Sequence, residues 1–173
     1  DSAPEKTVLF DNNNALENVE VDTYFILYKK YLLVKLNEKP MLVNIPRANE
    51  RILYELYLQA LREKPMTIQQ SLFPETIVLS AAQAELLSEI REEMHNLGYD
   101  IEPMSNCQFA INGTPYGDNN NDVKSVIESM LDEYRFNMMT QRDERDKNLA
   151  LSLARQKRSL MKPLGSLEEV NHF

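Results

Sequence analysis

The sequence predicts an α+β fold, and three observations support this prediction. Short apolar and aromatic runs of strand length alternate with longer segments in which apolar residues recur at the helical period. The chain has only 4 glycines and no tryptophan, which disfavours an all-β sandwich with many tight turns. With 173 residues, of which 43% are hydrophobic, the chain can form one sizeable core or two small subdomains.

The first part of the chain predicts three strands followed by a helix. Residues 1–20 are polar and rich in Asn, so we expect a linker or an arm. Strands are predicted at residues 22–28, 31–36 and 41–45. Pro46 is compatible with a helix start, and apolar residues then follow the helical period as far as Arg62. Lys64 and Pro65 end this helix.

The middle part of the chain, at residues 67–138, predicts a second unit that contains both strands and helices. A strand at residues 76–79 precedes a helix that begins at Ser80, where Gln83 completes a capping box, and ends at Gly98. Strands follow at residues 100–104 and 108–111, and Asn112-Gly113 is predicted to be a hairpin-type turn. A further helix is predicted at residues 123–138.

The last part predicts a helix at residues 142–160 and another that begins at Ser166. The element order is therefore βββα, then βαββα, then αα. This order predicts two subdomains: an outer one made from both chain ends, residues 21–66 with 139–173, and an inserted one at residues 67–138.

Charge and composition limit the classes of partner. The net charge is −8, so strong binding to DNA or RNA requires local segregation of charge. Seven basic residues cluster near the chain end: Arg142, Arg145, Lys147, Arg155, Lys157, Arg158 and Lys162. We interpret most of them as a solvated helix face, with a local basic patch as the alternative. The single cysteine, the short apolar runs and the lack of a secretion signal predict a cytoplasmic protein without a membrane span.

Residue types that carry chemistry are sparse. Neither histidine has the sequence context of a catalytic triad, and none of the glycines belongs to a phosphate-binding loop. Cys107 has no second cysteine with which to form a zinc motif. These features weigh against an enzyme.

One strand-to-helix junction, at residues 43–55, resembles an active-site segment. Glu50 and Glu55 are five residues apart, about 140° around a helix, so they cannot bind one ion without a further ligand. The simpler interpretation places Glu50 in the first helical turn, where the helix dipole favours a carboxylate, and Glu55 in solvent.

The segment Asn44-Ile-Pro-Arg-Ala-Asn-Glu50-Arg-Ile-Leu-Tyr-Glu55 resembles the Asp-Gln-His-Ala-x-x-Glu-x-x-x-x-Glu motif of the C-terminal domain of MutL mismatch-repair proteins. The segment that begins Ala150-Leu-Ser-Leu-Ala-Arg-Gln156 is similar to that family's Ala-Cys-Arg/Lys helix. The resemblance covers roughly residues 22–173.

The departures from the motif indicate a branch without endonuclease activity. In nuclease-active members the Asp and His of the motif bind divalent metal, with a cysteine nearby. Here these positions are Asn44, Pro46 and Arg155, which offer no charged hard-ion ligand and add a cation. The resemblance therefore implies no metal site, no cofactor and no catalysis in this domain, with Glu50 and Glu55 left from the motif.

A second short motif is Gln69-Gln-Ser-Leu-Phe-Pro74, which fits the Gln-x-x-Leu/Ile-x-Pro pattern of binders of the replicative sliding clamp. The Gln69 amide, the Leu72 side chain and the Pro74 ring would be the binding groups. The alternative is a loop in which Leu72 and Phe73 cap the core.

The resemblance implies a homodimerisation domain that docks the clamp and other mismatch-repair proteins in the bacterial cytoplasm, in association with the nucleoid. It would link two N-terminal ATPase domains, where ATP and Mg²⁺ belong, around DNA, itself touching DNA at most weakly. Two alternatives remain: a metal-dependent nicking endonuclease with a non-standard site using Glu50 and Glu55, and an unrelated protein–protein adaptor.

Overall fold

The computed structural model describes residue 21 and residues 23–36, 39–118, 122–140, 144–158, 160–161 and 163–173. Within these residues it contains six helices and two three-stranded antiparallel sheets, which confirms the predicted α+β class. The predicted arm at residues 1–20, as well as Arg142 and Lys162 of the basic cluster, lie outside the described residues.

The first sheet consists of β1 (Tyr24–Leu27), β2 (Tyr31–Leu36) and β3 (Lys39–Asn44), in the order β1-β2-β3. The three predicted strands are confirmed. Strands β1 and β2 pair so that Ile26 lies opposite Leu32, and Leu32 is buried. Because side chains alternate between the two faces of a strand, Phe25 and Leu27 lie on the other face.

Helix α1 (Ile45–Arg62) begins directly after β3. The side chain of Asn44 accepts a hydrogen bond from the Arg47 backbone N–H at 3.2 Å, and Pro46 occupies the first turn. An Asn cap followed by Pro is favourable because the cap satisfies one free N–H and Pro has none to satisfy.

The second sheet consists of β4 (Ile68–Val78), β5 (Asp100–Ser105) and β6 (Gln108–Pro115), in the order β4-β6-β5. The prediction of a turn at Asn112-Gly113 is wrong, because both residues lie inside β6. The chain turns instead at Asn106-Cys107, where Cys107 has a φ of 61°. Gly113 is required for close approach, since a Cβ there would lie 2.5 Å from Cγ2 of Ile68.

The remaining helices are α2 (Ala81–Glu89), α3 (Arg91–Asn96), α4 (Val123–Thr140), α5 (Arg145–Lys157) and α6 (Leu167–His172). The predicted capping box of Ser80 and Gln83 is confirmed, and Ser166 forms a second one with Glu169. The helix predicted to run unbroken from Ser80 is interrupted at Ile90, which separates α2 from α3. Gly98 ends α3 with a φ of 91°.

The structure divides into two compact units. The smaller comprises the described residues up to Val43 together with Pro163–Phe173, and the larger comprises Asn44–Lys162. One apolar core runs through the larger unit and takes side chains from α1 and α5 as well as from the second sheet and α2 to α4. The subdomain boundaries predicted at residues 66 and 139 do not coincide with this division and stay a prediction.

Candidate functional site

The strand-to-helix junction places its motif residues in different environments. Asn44 and Pro46 form the start of α1, as described above. Glu50 lies in the second turn, which corrects the expectation that it lies in the first. Its side chain is only 21% exposed, so it is directed at other side chains rather than at solvent.

Arg155 of α5 and Arg158, the C-cap residue of that helix, bind Glu50. Nε of Arg155 lies 3.4 Å from Oε1 of Glu50, and Nη1 of Arg158 donates to Oε2. Across 105 positions of sequence, the structure thus brings together Glu50 and Arg155, two of the positions that the family resemblance had singled out.

Arg155 also binds a second carboxylate, that of Glu133 on α4. Nη1 of Arg155 donates to Oε1 of Glu133 at 2.6 Å, and Nε2 of Gln156 donates to Oε2 at 2.9 Å. The hydrogen bond to Glu133 raises the pKa of Arg155 further above its usual value. The guanidinium therefore stays charged between two carboxylates.

Nothing in the sequence assigned Glu133 or Arg158 to this site. Glu133 lies in the middle of an amphipathic helix, and Arg158 was one member of a basic run. Their partners lie 22 or more positions away, so no local spacing could reveal these contacts. Only the packing of α5 against α1 and α4 creates them.

Glu55 takes no part in this cluster. It forms an i,i+4 ion pair with Arg51, and its side chain is 51% exposed, so the expectation of a solvated Glu55 is confirmed. The two carboxylates of the motif thus engage different arginines on different sides of α1. In the part of the chain that the structure describes, no group of three or more His, Cys, Asp or Glu side chains is close enough to hold a metal ion.

The cluster lies in a cleft of about 980 Å³ between α1, α4 and α5. Five cationic side chains line it: Arg47, Arg51, Lys147, Arg155 and Arg158. Three carboxylates line it as well: Glu50, Glu133 and Glu144. The basic run near the chain end is therefore only partly a solvated face, since three of its members reach this cleft.

Other members of the basic run point elsewhere. Arg145 pairs with Glu93 at 3.0 Å, and Lys157 forms an ion pair with Asp118 in which both side chains are largely buried. A buried pair of this kind satisfies the charge of Lys157 locally. Lys157 is therefore a structural residue, whereas Arg145 stays partly exposed.

The segment from Gln69 to Pro74 lies within β4, an edge strand, rather than in a loop. Strand β4 carries three more residues than β6 between the pairs Gln70–Gly113 and Glu75–Ile111, so the segment bulges outward. Leu72 is 90% exposed and Phe73 is 87% exposed. The alternative in which these two side chains cap the core is therefore wrong.

The bulge is held by local hydrogen bonds. Oγ of Ser71 accepts from the backbone N–H of Phe73 at 3.2 Å and donates to its carbonyl at 2.8 Å. Nε2 of Gln70 donates to Asp100 at 3.0 Å. These bonds hold two large apolar side chains in solvent.

The chain matches known sequences over most of its length. Residues 25–162 match the model of the family described as MutL C terminal dimerisation domain. The chain belongs to this family. The matched residues include the strand-to-helix junction and the residues that line the cleft.

Curated relatives agree with this assignment. The chain is 31% identical over 157 residues to the DNA mismatch repair protein MutL of Parabacteroides distasonis, covering 89% of this chain and 25% of the relative. It is 29% identical over 141 residues to the DNA mismatch repair protein MutL of Chlorobium chlorochromatii, covering 81% of this chain and 22% of the relative. The chain therefore spans about a quarter of the length of the curated relatives it matches.

The smaller unit carries exposed apolar side chains on one face of its sheet. On the open face of the first sheet Phe25 is 60% exposed and Leu27 is 41% exposed. Their partners across the strand pair are Leu33 and Tyr31, which are half-buried. Among the described residues, no helix is long and apolar enough to cross a membrane.

Proposed function

We propose that this chain is the homodimerisation and partner-docking region of a MutL-type DNA mismatch repair protein in the bacterial cytoplasm. It joins two N-terminal ATPase domains, which belong to the part of the relatives that this chain does not cover, and thereby closes a ring around DNA. Joining two modules raises their effective concentration without any new contact between them. Membership of a dimerisation family and the mismatch-repair relatives support this role.

The observation that carries the proposal is the open apolar face of the first sheet. A sheet normally buries one face and exposes a polar one. Here Leu32 and Val34 fill the buried face, yet Phe25 and Leu27 make the opposite face apolar as well. A twofold axis through this face would bury the same side chains from both copies.

Sedimentation equilibrium of the 173-residue chain tests this assignment. We expect a dimer at micromolar concentration. A monomer under these conditions would contradict dimerisation of this chain.

We further propose that the domain does not cut DNA. A divalent cation at Glu50 would need additional anionic or neutral oxygen ligands around it. Arg155 and Arg158 already satisfy both oxygens of Glu50, and their positive charges repel a cation. Asn44 is engaged as a helix cap, which removes a further ligand from the site.

Incubation with supercoiled plasmid and Mn²⁺ tests this second part. We expect the plasmid to remain supercoiled. Metal-dependent nicking that disappears in a Glu50→Ala variant would overturn it and support the alternative of a non-standard endonuclease with Glu50 and Glu55. A Glu55→Ala variant then shows whether the second carboxylate contributes.

A further docking role is favoured by the bulge in β4. We infer that Gln69, Leu72 and Pro74 bind the replicative sliding clamp as an extended segment. Leu72 and Phe73 are displayed in solvent by a bulge that hydrogen bonds hold in place, so the ordering cost on binding is low. A partner pocket that buries Leu72 recovers the free energy of hiding its apolar surface.

Direct binding to the clamp tests this role. We expect the double variant Gln69→Ala, Leu72→Ala to lose binding while its thermal stability is unchanged, since Leu72 is 90% exposed. Phe136→Ala is the matched control, because it removes a 65% exposed apolar side chain from α4, outside both the bulge and the proposed dimer face. Wild-type affinity of the double variant would refute clamp docking through this segment.

A further inference from the structure

The second sheet has a gap between side chains at Gly113, in its central strand β6. Gln70 of β4 and Asp100 of β5 are both paired with Gly113, so the three residues form one row across the sheet. Residues paired in this way direct their side chains to the same face. Because Gly113 has no side chain, the middle of this row is open.

Across this gap Gln70 and Asp100 form a hydrogen bond, which we call the Gln70–Asp100 bridge. Nε2 of Gln70 donates to Oδ2 of Asp100 at 3.0 Å. Strands that are two apart in a sheet lie about 10 Å from each other, so the two side chains meet by extending over the central strand. A Cβ at position 113 would lie 3.4 Å from Cβ of Asp100 and 3.1 Å from the carbonyl oxygen of Gln69. Glycine therefore leaves room for the bridge.

The bridge is located where the bulge of β4 begins. Gln70 pairs with β6 immediately before the bulge, and pairing resumes at Glu75. The hydrogen bonds of Ser71 join it to Phe73 within the bulge, whereas the bridge ties the start of the bulge to another strand. The bridge therefore fixes the direction in which the chain leaves the sheet.

The two consecutive glutamines have different environments. Neighbouring residues of a strand direct their side chains to opposite faces. Gln70 is engaged in the bridge on one face, while Gln69 is exposed on the other. The bridge thus holds the backbone of this pair without occupying the amide of Gln69.

We propose that Gln70 and Asp100 are positioning residues that hold the segment from Gln69 to Pro74 in the conformation that binds the sliding clamp. This inference rests on the proposed docking of the clamp through that segment. A segment that is free to move must be ordered on binding, which weakens affinity. The bridge orders it beforehand. Loss of one hydrogen bond of ordinary strength corresponds to a factor of about five in affinity.

Binding of the 173-residue chain to the purified sliding clamp, measured by titration calorimetry, tests this inference. Asp100→Ala is expected to raise the Kd about fivefold. Asp100→Asn should bind as the wild type does, because its amide oxygen still accepts from Gln70. Glu102→Ala is the matched control: it removes an exposed carboxylate of the same strand, but Glu102 pairs with Ala110. Its Kd should equal that of the wild type.

A double-mutant cycle separates the bridge from a direct contact between Gln70 and the clamp. If both side chains act through the bridge, Gln70→Ala and the double variant Gln70→Ala, Asp100→Ala should each raise the Kd about fivefold. A double variant weakened about 25-fold would show independent effects and overturn the inference.

Hydrogen exchange of the free chain provides a readout that does not involve the clamp. The backbone amides of residues 71–73 should exchange faster in Asp100→Ala than in the wild type or in Glu102→Ala. The melting temperature of Asp100→Ala should change little, because the bridge is exposed. Unchanged exchange in Asp100→Ala would contradict the proposed ordering of the segment.

The affinities distinguish failure of this inference from failure of clamp docking. Wild-type affinity of Asp100→Ala, together with weak binding by the Gln69→Ala, Leu72→Ala variant, would overturn the positioning role and leave clamp docking intact. Equal weakening by Asp100→Ala and Glu102→Ala would also overturn it, since charge alone would then explain the effect. Wild-type affinity of the Gln69→Ala, Leu72→Ala variant would refute clamp docking through this segment and the positioning role with it.

Discussion

Replacing Phe25 with Ala removes a large exposed side chain from the open face of β1. A Phe side chain carries about 200 Å² of surface, and 60% exposure of Phe25 leaves about 120 Å² for a partner to cover. At about 25 cal/mol per Å² this area corresponds to about 3 kcal/mol, and the methyl group that remains in Ala reduces the loss to about 2 kcal/mol per protomer.

A twofold dimer loses this contribution twice. The expected loss is therefore about 4 kcal/mol, or an increase in the dimer Kd of about a thousandfold. Because Phe25 is already mostly exposed within one protomer, the stability of the isolated protomer should hardly change. Sedimentation equilibrium over a range of concentrations measures the Kd directly.

Phe73→Ala is the matched control, since Phe73 is 87% exposed but belongs to β4. Its dimer Kd should equal that of the wild type. A Phe25→Ala dimer whose Kd lies within about threefold of the wild type would refute the assignment of this face. An equal effect of Phe73→Ala would show that general apolar exposure, not this face, drives association.

Three further outcomes follow from the larger unit. Arg155→Ala removes the shared partner of Glu50 and Glu133. The free energy of unfolding, measured by urea titration, should fall by about 1–2 kcal/mol, a loss that solvent screening limits because Arg155 is 40% exposed. Arg155→Lys should recover part of this loss. Leu149→Ala should cost about 2–5 kcal/mol in the same assay, since Leu149 is fully buried, and a loss below about 1 kcal/mol would contradict its place in the core. Burial raises the pKa of the Tyr57 phenol, so as the pH rises the unfolded chain loses this proton before the folded chain does. The free energy of unfolding should therefore fall above about pH 10. Tyr57→Phe should reduce that alkaline loss, and a variant with the same pH profile as the wild type would contradict the assignment.

The elements with strong local signals were predictable from the sequence. Strand β1 alternates in burial, and the capping boxes at Ser80 and Ser166 depend only on residues three positions apart. The helical period of α1 is equally local. These signals require no knowledge of the rest of the chain.

The errors arose where a tertiary contact outweighed the local pattern. Asn112-Gly113 has the composition of a turn, but Gly113 lies in β6 because it pairs with both β4 and β5, and the Ile68 side chain leaves no space for a Cβ there. The break at Ile90 separates two helices that a continuous apolar period had joined. The six-residue motif that ends at Pro74 is short and polar at its start, yet pairing of Gln69 and Gln70 with β6 places it in a strand.

The sequence by itself determined the α+β class, the position of the strand-to-helix junction and the residue types at positions 44, 46 and 155. These are properties of residue identity and short spacing. Only the tertiary structure decided what Asn44, Pro46 and Arg155 contact. It joined Glu50 to Arg155 and Arg158, brought in Glu133 from α4, and turned Leu72 and Phe73 outward. Contacts between charges far apart in sequence depend on how helices pack, and no local pattern encodes that packing.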